Sequence, residues 1–168
     1  MRPTDPMAVL VRPAHVSEYA AVGELTFSAY AEGGFITESD DYAGHLRDAE
    51  ARAGGAELYV AELDGSLAGT VTFCPEGSAL RELAGPGEGE FRMLAVASLA
   101  RRRGVAAALV GACQERSREL GYHAVVLCSM HVQVDAHRLY RRLGFRRVPD
   151  LDWSPVPGVE LLGFRLEL

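Results

Sequence analysis

The stretch Arg101–Ala108 reads RRRGVAAA, three arginines and a glycine that run directly into small apolar residues. It follows the strand-like segment EFRMLAV (Glu90–Val96), and the apolar spacing after it predicts a helix from Gly104 to Leu120 that Gly121 ends. The arginines therefore lie in a turn between a strand and a helix. Such a turn could be a basic patch for nucleic acid, a solvated turn, or a cradle for a small anion.

The placement favours the anion cradle. The N-terminus of a helix leaves unpaired N–H groups and a partial positive charge, so an anion gains hydrogen bonds there plus about 0.3 to 2 kcal/mol of dipole attraction. Gly104 lets the backbone approach a ligand closely, and the guanidinium groups add positive charge. A P-loop is excluded because it requires a lysine, and all 17 basic residues of this chain are arginine.

Composition excludes several other classes of protein. A chain of 168 residues with 48% hydrophobic and 24% charged residues predicts one globular domain, residues 1–168. Its net charge of −6 argues against a nucleic-acid binder. Apolar runs are too short for a membrane span and the N-terminal stretch lacks a signal peptide's apolar segment, so we expect a cytoplasmic protein without membrane partners.

The three cysteines predict neither disulfides nor a metal site. They are widely spaced, and each lies within an apolar segment, which is typical of buried reduced thiols: Cys74, Cys113 and Cys128.

Patterning along the chain predicts an α/β (α+β) fold. Hairpin-length connections join the early strands, with a turn at Asp64-Gly65, whereas strand-helix-strand crossovers join the later ones. The expected order is strand Ala8–Arg12, helix Val16–Tyr30, helix from Ser39 or Asp40 to Ala53, the hairpin, an exposed mobile loop Pro75–Gly89, strand Glu90–Val96, helix Gly104–Leu120, strand His123–Met130, helix Asp135–Leu143 and strand Glu160–Leu168. This order implies a mixed sheet with helices on both faces.

Two segments in this order resemble the signatures of a known family. Arg101-x-x-Gly104-x-Ala106, before a long amphipathic helix, resembles the acetyl-CoA signature of the GNAT family, the GCN5-related N-acetyltransferases. AHRLYRRLGF (Ala136–Phe145) is similar to the family's second signature, Ala-x-x-Leu-Tyr-x-x-x-Gly-Phe. The resemblance implies a mixed, mostly antiparallel central sheet of about six or seven strands with about four helices.

The resemblance also implies how acetyl-CoA, the expected cosubstrate, would bind without a metal. The cradle amides would hold the pyrophosphate, and parted strands near Leu94–Val96 and Val125–Cys128 would pair with the pantetheine arm. Many relatives carry Asn seven residues before the tyrosine of the second signature, where this chain has Gln133, so a contact there is altered. The implied binding residues are Leu94, Ala95, Val96, Arg101, Arg102, Arg103, Gly104, Val105, Ala106, Gln133 and Tyr140.

Two side chains match the family's acid and base. Tyr140 stands where the family commonly carries a tyrosine near the coenzyme sulfur, although Leu139-Tyr140 would also suit any buried helix face. Glu90 stands where the histone-acetylating branch carries its catalytic glutamate, and burial would raise its pKa into a useful range. It could equally be a surface residue that ends the loop GPGEGE.

The acceptor is less visible in the sequence. In this family it contacts the segment between the first two helices and late loops, which implies roles for Tyr30–Tyr42 and Asp150–Val159. The first segment carries acidic residues that could attract a cationic amine, and aromatic residues here could form an apolar wall or pack the loops. These candidates are Glu32, Glu38, Asp40, Asp41, Phe35, Tyr42 and Trp153. His131 is a weaker candidate, His137 is expected to be exposed, and Cys128 has no nearby partner for nucleophilic catalysis.

The expected function is transfer of an acetyl group from acetyl-CoA to a primary amine of a small molecule or peptide, by direct attack in a ternary complex. The alternative is a non-catalytic acyl-CoA-binding sensor. The C-terminal strand could add to a partner's sheet, so a homodimer is also compatible with the sequence.

Overall fold

The computed structural model describes residues 8–168; Met1–Met7, part of the stretch used to exclude a signal peptide, lie outside the described residues. The elements in chain order are β1 (Leu10–Pro13), α1 (Tyr19–Glu32), α2 (Tyr42–Arg47), α3 (Ala49–Gly55), β2 (Glu57–Leu63), β3 (Ser66–Cys74), β4 (Glu88–Val96), α4 (Val105–Glu119), β5 (Ala124–Met130), α5 (Val134–Arg142), β6 (Arg146–Arg147) and β7 (Leu161–Glu167).

The strands form one seven-stranded mixed sheet in the order β1-β2-β3-β4-β5-β7-β6. β4 pairs with β5 in parallel, while β1 with β2, β5 with β7 and β6 with β7 are antiparallel. This confirms the predicted mixed, mostly antiparallel sheet. None of the helices formed by residues 8–168 combines the length and apolar character needed to cross a bilayer.

Among the described residues, the first compact unit contains residues 8–72 together with Met93–Ala112. Its hairpin turns at Asp64 and Gly65, which both adopt left-handed backbone angles with φ of 58° and 76°, as the Asp-Gly pair predicts. Gly69 on β3 lets α4 approach the sheet: a Cβ there would lie 2.8 Å from Val105 Cγ1 and 2.9 Å from the Ala95 carbonyl oxygen. This close packing positions the first turn of α4.

The predicted helix between Ser39 and Ala53 is two helices, which is why five helices are present among the described residues instead of about four. Asp48 interrupts the helix because its ψ of 71° is not helical. Its Oδ1 accepts the Ala51 amide at 3.0 Å, which caps the N-terminus of α3. Arg52, which is buried, donates to the Leu46 carbonyl at 2.8 Å and so holds the end of α2 against α3.

The second compact unit contains Phe73–Arg92 together with Cys113–Leu168. β7 pairs with β5 along its whole length, from Cα partners Ala124 and Glu167 to Met130 and Leu161. The short strand β6 was missed in the sequence because two residues carry no alternation that a pattern could reveal. The prediction of a single domain stays a prediction.

The loop before β4 is anchored, contrary to the predicted exposed and mobile segment Pro75–Gly89. β4 already begins at Glu88, and the Arg81 guanidinium donates to the carbonyl oxygens of Glu88 at 2.6 Å and Ala84 at 3.3 Å, as well as to that of Gly85. An arginine that satisfies several carbonyls at once closes the loop on itself, which composition alone did not indicate.

Candidate active site

β4 and β5 are paired over only part of their length. Their last Cα pair among the described residues is Glu90 with Val126, although β4 continues to Val96 and β5 to Met130. Met93 lies three residues beyond this pair and has φ of 53°, a left-handed conformation that is rare for a residue other than glycine and is typical of a bulge. The residue type at position 93 does not indicate this distortion, because methionine has no preference for such angles.

The predicted pantetheine-binding residues lie on β4 after the distortion. Ala95 is buried, whereas Leu94 and Val96 are partly exposed. Alternate residues of a strand face opposite sides of the sheet, so Leu94 and Val96 share the more open face. These three consecutive residues lie on one strand, and their role in binding pantetheine stays a prediction.

The cradle residues surround the first turn of α4. Arg101–Gly104 are exposed, Val105 is buried and Ala106 is partly exposed. Among residues 8–168 the amides of Arg102–Ala107 donate to no protein acceptor, since the first internal bond of the helix runs from Ala108 to the Gly104 carbonyl at 3.0 Å. Six amides are thus available to a ligand.

Gly104 leaves the cradle open. Its φ is 81°, which favours glycine, and no atom lies within 4 Å of the position that a Cβ would take. Free amides, an unobstructed backbone and exposed arginines fit the pyrophosphate of acetyl-CoA, which is the chemistry expected of an anion site at a helix N-terminus.

The three arginines of the cradle are not equivalent. Arg101 Nη2 lies 3.2 Å from Glu32 Oε2, and Arg103 Nη2 lies 3.4 Å from Asp64 Oδ2. Arg102, with φ of 61°, makes no ion pair within the described part of the chain. Its charge is therefore the least compensated of the three.

Glu90 is fully buried at the point where β4 and β5 part. Its Oε2 accepts the backbone amides of Glu82, Leu83 and Ala84 at 2.9, 3.0 and 3.3 Å. Its Oε1 is buried without a hydrogen-bond partner among the described residues. The sequence offered a catalytic base or a surface glutamate; the structure places a buried carboxylate with one oxygen engaged by the loop and one unused.

Tyr140 is buried in an aromatic cluster of the second unit. Its ring centroid lies 6.0 Å from that of Phe91, 5.9 Å from that of Phe145 and 5.6 Å from that of Phe164. Both interpretations made from the sequence, a buried helix face and a tyrosine in the second signature, are compatible with this placement.

Gln133 lies at the start of α5 and is engaged by the protein itself. Its Oε1 accepts the Ser129 hydroxyl and the Met130 amide, both at 2.9 Å. The single hydroxyl proton of Ser129 is used in that hydrogen bond. Ser129 Oγ is therefore the acceptor in its second hydrogen bond, and His137 Nε2 is the donor at 3.1 Å. Only the side-chain amide nitrogen of Gln133 is left to meet a ligand.

The prediction that His137 is exposed is wrong. It lies on the buried face of α5 with its ring centroid 5.1 Å from that of Phe164, and burial lowers its pKa. The neighbouring arginine in the sequence suggested a solvated face, but position 137 shares its helical face with Tyr140. His131, by contrast, is exposed in the turn after β5.

The thiols are poor nucleophiles. Burial raises the pKa of Cys128 to about 11 and that of Cys74 to about 12, so both are protonated near neutral pH. All three cysteines are reduced, with Cys74 and Cys113 buried as predicted and Cys128 partly exposed. Residues 8–168 contain no cluster of metal-binding side chains.

The acidic residues proposed for amine capture have partners within the first unit. Glu32 pairs with Arg101, and Glu38 Oε2 lies 2.6 Å from Arg47 Nη1, a hydrogen bond that lowers the pKa of Glu38. Asp40 Oδ2 accepts the Thr37 amide at 2.6 Å. The charges of Glu32 and Glu38 are therefore compensated by arginines, whereas Asp40 accepts only neutral donors here and keeps its negative charge.

An ion pair that the sequence does not reveal lies two residues beyond Glu90 on β4. Arg92 Nη2 lies 2.9 Å from Glu82 Oε1, and Arg92 Nη1 donates to the Leu80 carbonyl at 3.0 Å. Arg92 is a charged residue within the otherwise apolar segment FRMLAV, which indicates a special role. Nothing in the sequence identifies Glu82, ten residues earlier, as its partner.

Comparison with known proteins agrees with this geometry. The family model of the acetyltransferase (GNAT) family matches residues 21–145. The N-acetylaspartate synthetase of Rattus norvegicus is 36% identical over 107 residues, which are 64% of this chain and 33% of that protein. The chain thus spans about a third of the length of the curated relatives it matches.

Solved structures share the fold. An acetyltransferase of the GNAT family from Staphylococcus aureus Mu50 has a TM-score of 0.74 at 16% identity and covers 96% of this chain and 99% of that chain. The yncA protein of Salmonella typhimurium, solved with its cofactor acetyl-CoA, has a TM-score of 0.66 at 22% identity and covers 96% and 94%. Since the family model spans most of its length, this chain belongs to the GNAT family of acetyltransferases.

Proposed function

We propose that the chain is an acetyl-CoA-dependent N-acetyltransferase that acts on a primary amine of a small molecule or peptide. The observation that carries this proposal is the set of six amides, Arg102–Ala107, that have no protein acceptor among the described residues at the N-terminus of α4. Acetyl-CoA supplies the acetyl group as a thioester. The residues of this chain bind the cosubstrate, orient it and move the protons.

The cradle binds the diphosphate through its backbone. The amides of Arg102–Ala107 donate to phosphate oxygens, Gly104 keeps the approach open, and Arg102 adds the uncompensated charge. Leu94, Ala95 and Val96 offer strand backbone to the amide groups of the pantetheine arm, and the amide nitrogen of Gln133 offers one further donor.

Tyr140 is proposed as the acid. Its hydroxyl donates a proton to the departing sulfur, whose thiol has an ordinary pKa near 8.5 and so needs only modest help to leave. The aromatic cluster holds the ring in place, which fixes the direction of the hydroxyl.

Glu90 is proposed as the base. An alkylamine with a pKa near 10.4 is about one part in 10³ neutral at pH 7, a shortfall of roughly 4 to 5 kcal/mol that a base must offset. The unpartnered Oε1 of Glu90 is the atom that would accept the proton, while Oε2 stays with the loop amides.

Direct attack by the amine is favoured over an acyl-enzyme. Burial keeps the Cys128 thiol protonated, with its pKa raised to about 11, so a thiolate that could accept the acetyl group is scarce at neutral pH. The amine and acetyl-CoA are therefore bound together when transfer occurs.

Aspartate is a specific acceptor to test, since the curated relatives are named N-acetylaspartate synthetase.

The proposal also includes a cytoplasmic location, which the composition suggests, and a homodimer. Sedimentation of the full chain would measure the oligomeric state.

The decisive experiment is release of free coenzyme thiol from acetyl-CoA against a panel of amino acids, simple amines and peptides. Acceptor-dependent release that rises with acceptor concentration supports the proposal. Tight binding of acetyl-CoA with only slow hydrolysis across the panel contradicts it.

A non-catalytic acyl-CoA sensor is the second candidate. One observation favours it: Oε2 of Glu90 accepts three loop amides, which is what a purely structural carboxylate would do. The same thiol-release assay separates the two candidates, because a sensor binds acetyl-CoA without acceptor-dependent turnover.

A further inference from the structure

A cationic side chain stands on the opened part of the sheet in the second unit. Arg92 lies two residues beyond the last pair of β4 with β5, and Cys128 lies two residues beyond it on β5. Because side chains alternate along a strand, both share the face of Glu90 and Val126. Both are partly exposed, whereas Phe91 and Leu127 beside them are buried.

The charges of this group act on one another. Burial raises the pKa of the Cys128 thiol, a hydrogen bond with Trp153 lowers it, the charges of Glu82 and Glu90 raise it, and the charge of Arg92 lowers it. The three charged groups are therefore close enough to Cys128 for their charges to act on its thiol. The guanidinium of Arg92 and the carboxylates of Glu82 and Glu90 suit a ligand that carries both a negative and a positive group.

The guanidinium of Arg92 is already used as a carboxylate ligand. Its Nη2 lies 2.9 Å from Glu82 Oε1, and its side chain is 17% exposed, so the group is largely removed from water yet reachable. A planar guanidinium binds carboxylates through two parallel N–H groups, which gives both affinity and orientation.

Glu82 is a replaceable partner for Arg92. Burial raises the pKa of Glu82, the charge of Arg92 opposes this and that of Glu90 adds to it, and the net shift is upward, so the ionised form is less stable than that of a solvated glutamate. Its side chain is 28% exposed and belongs to the loop before β4 instead of to a strand. A ligand carboxylate could take its place on Arg92 without unpairing any strand.

Glu90 supplies the complementary group for an amine. Its Oε1 is a buried acceptor without a partner among the described residues. Glu90 lies on the same face as Arg92, and the backbone positions of the two residues are about 6.6 Å apart along the strand. An amino acid, with an amine and a carboxylate a few atoms apart, matches an acceptor and a cation at this spacing.

We propose that Arg92 binds the carboxylate of the acceptor and restricts the substrate class to amino acids, with Glu82 displaced when the acceptor enters. This inference rests on the proposed function for the transfer step, but the binding of a carboxylate at Arg92 can be measured by itself. Arg92 is a binding residue here and takes no part in proton transfer.

Thiol release tests selectivity with four acceptors that differ in carboxylates: L-aspartate, L-alanine, β-alanine and ethylamine. We expect kcat/KM for the best amino acid to exceed that for ethylamine by about 30-fold, which corresponds to about 2 kcal/mol and lies within the range for a hydrogen bond to a charged group. In Arg92→Gln this ratio falls towards one while the KM for acetyl-CoA is unchanged, and Arg92→Lys keeps part of it.

Calorimetry tests binding without turnover. L-Aspartate and L-alanine are titrated into the full chain saturated with coenzyme A, and we expect the dissociation constant of the preferred acid to rise at least about 30-fold in Arg92→Gln. Arg165→Gln is the matched control, because Arg165 is 20% exposed, lies in the same unit and also pairs with a glutamate, Glu88. That variant should keep both the affinity and the selectivity.

Three results would overturn the carboxylate site. They are equal use of ethylamine by the unchanged chain, an equal fall in rate for acids and ethylamine in Arg92→Gln, and failure of the protein to bind either acid. Binding that depends on Arg92 without any turnover supports the carboxylate site and contradicts the proposed function. Turnover of ethylamine equal to that of the acids supports the proposed function and contradicts the carboxylate site.

Discussion

Oε2 of Glu90 accepts the Leu83 amide at 3.0 Å, so the residue proposed as the base also holds the loop that precedes its own strand. Two further amides, those of Glu82 and Ala84, converge on the same oxygen. A carboxylate with three donors on one oxygen is fixed in orientation, which leaves Oε1 aimed in a single direction. Anchoring and proton transfer are therefore properties of different oxygens of one side chain.

Glu90→Gln separates these two roles. Glutamine keeps a carbonyl oxygen for the loop amides but cannot take a proton from an amine. We expect kcat to fall about 10² to 10⁴-fold if Glu90 is the base, with a loss of stability of about 1 to 3 kcal/mol from the weakened hydrogen bonds. Steady-state rates across pH and urea unfolding measure the two effects.

The control for this prediction is Glu88→Gln, the neighbouring carboxylate on β4, which pairs with Arg165. A full rate in Glu90→Gln at every pH would remove Glu90 from the chemistry and leave it as an anchor.

The sequence was sufficient for the parts of the site that depend on local patterns. The turn Arg101–Gly104 before a helix, the Asp64-Gly65 hairpin and the order of strands all rest on residues adjacent in the chain, and the structure agrees with them. Gly104 could be singled out because a residue without a Cβ lets the backbone approach a ligand closely, and its φ of 81° lies in the region that favours glycine.

What the sequence could not reveal depends on contacts between distant segments. The burial of His137 is set by Ser129 and Phe164, and the pairing of Arg92 with Glu82 is set by the path of a loop. The left-handed angle of Met93 has no local cause, because methionine does not favour it. These three features depend on tertiary packing, which the pattern of residues in a single sequence does not predict.

Gly104→Glu tests the cradle. No atom lies within 4 Å of the new Cβ, so the side chain would not clash, but its charge would face the diphosphate. We expect at least a 100-fold loss of acetyl-CoA affinity, roughly the effect of replacing an attractive site by a repulsive one. Calorimetry with acetyl-CoA gives the affinity.

Gly104→Ala is the matched control for that experiment. It carries the same strain of a left-handed backbone, about 1 to 2 kcal/mol, without the charge. Equal affinity losses in the alanine and glutamate variants would show that strain, and not charge at a phosphate site, explains the effect.

Tyr140→Phe tests the proposed acid. The ring would keep its contacts with Phe91, Phe145 and Phe164, so thermal unfolding should change little. Loss of the hydroxyl should lower kcat by about 10² or more if it protonates the sulfur. Tyr140→Ala, which empties the cluster, should instead cost about 3 to 5 kcal/mol of stability. A rate in Tyr140→Phe within a few-fold of the unchanged chain would limit the hydroxyl to orienting the thioester.

Incubation with acetyl-CoA in the absence of an acceptor tests for an acyl-enzyme. Because burial raises the pKa of Cys128 to about 11, we expect no acetyl adduct on the intact protein by mass spectrometry and slow alkylation of this thiol at pH 7. An adduct mapped to Cys128 that disappears when amine is added would contradict direct attack.

The buried His137 predicts a dependence of stability on pH. Burial lowers its pKa in the folded state, and the charges of Arg141, Arg147 and His131 act in the same direction, while a hydrogen bond with the Met130 backbone opposes them. Between that lowered value and the unfolded value near 6.5, the unfolded chain binds more protons, so stability must fall as pH decreases below about 6.5. His137→Gln removes this titrating group and should flatten the slope of unfolding free energy against pH in that interval. Equal slopes in the unchanged chain and in His137→Gln would mean that His137 titrates alike in both states, so that its burial has no cost in protonation.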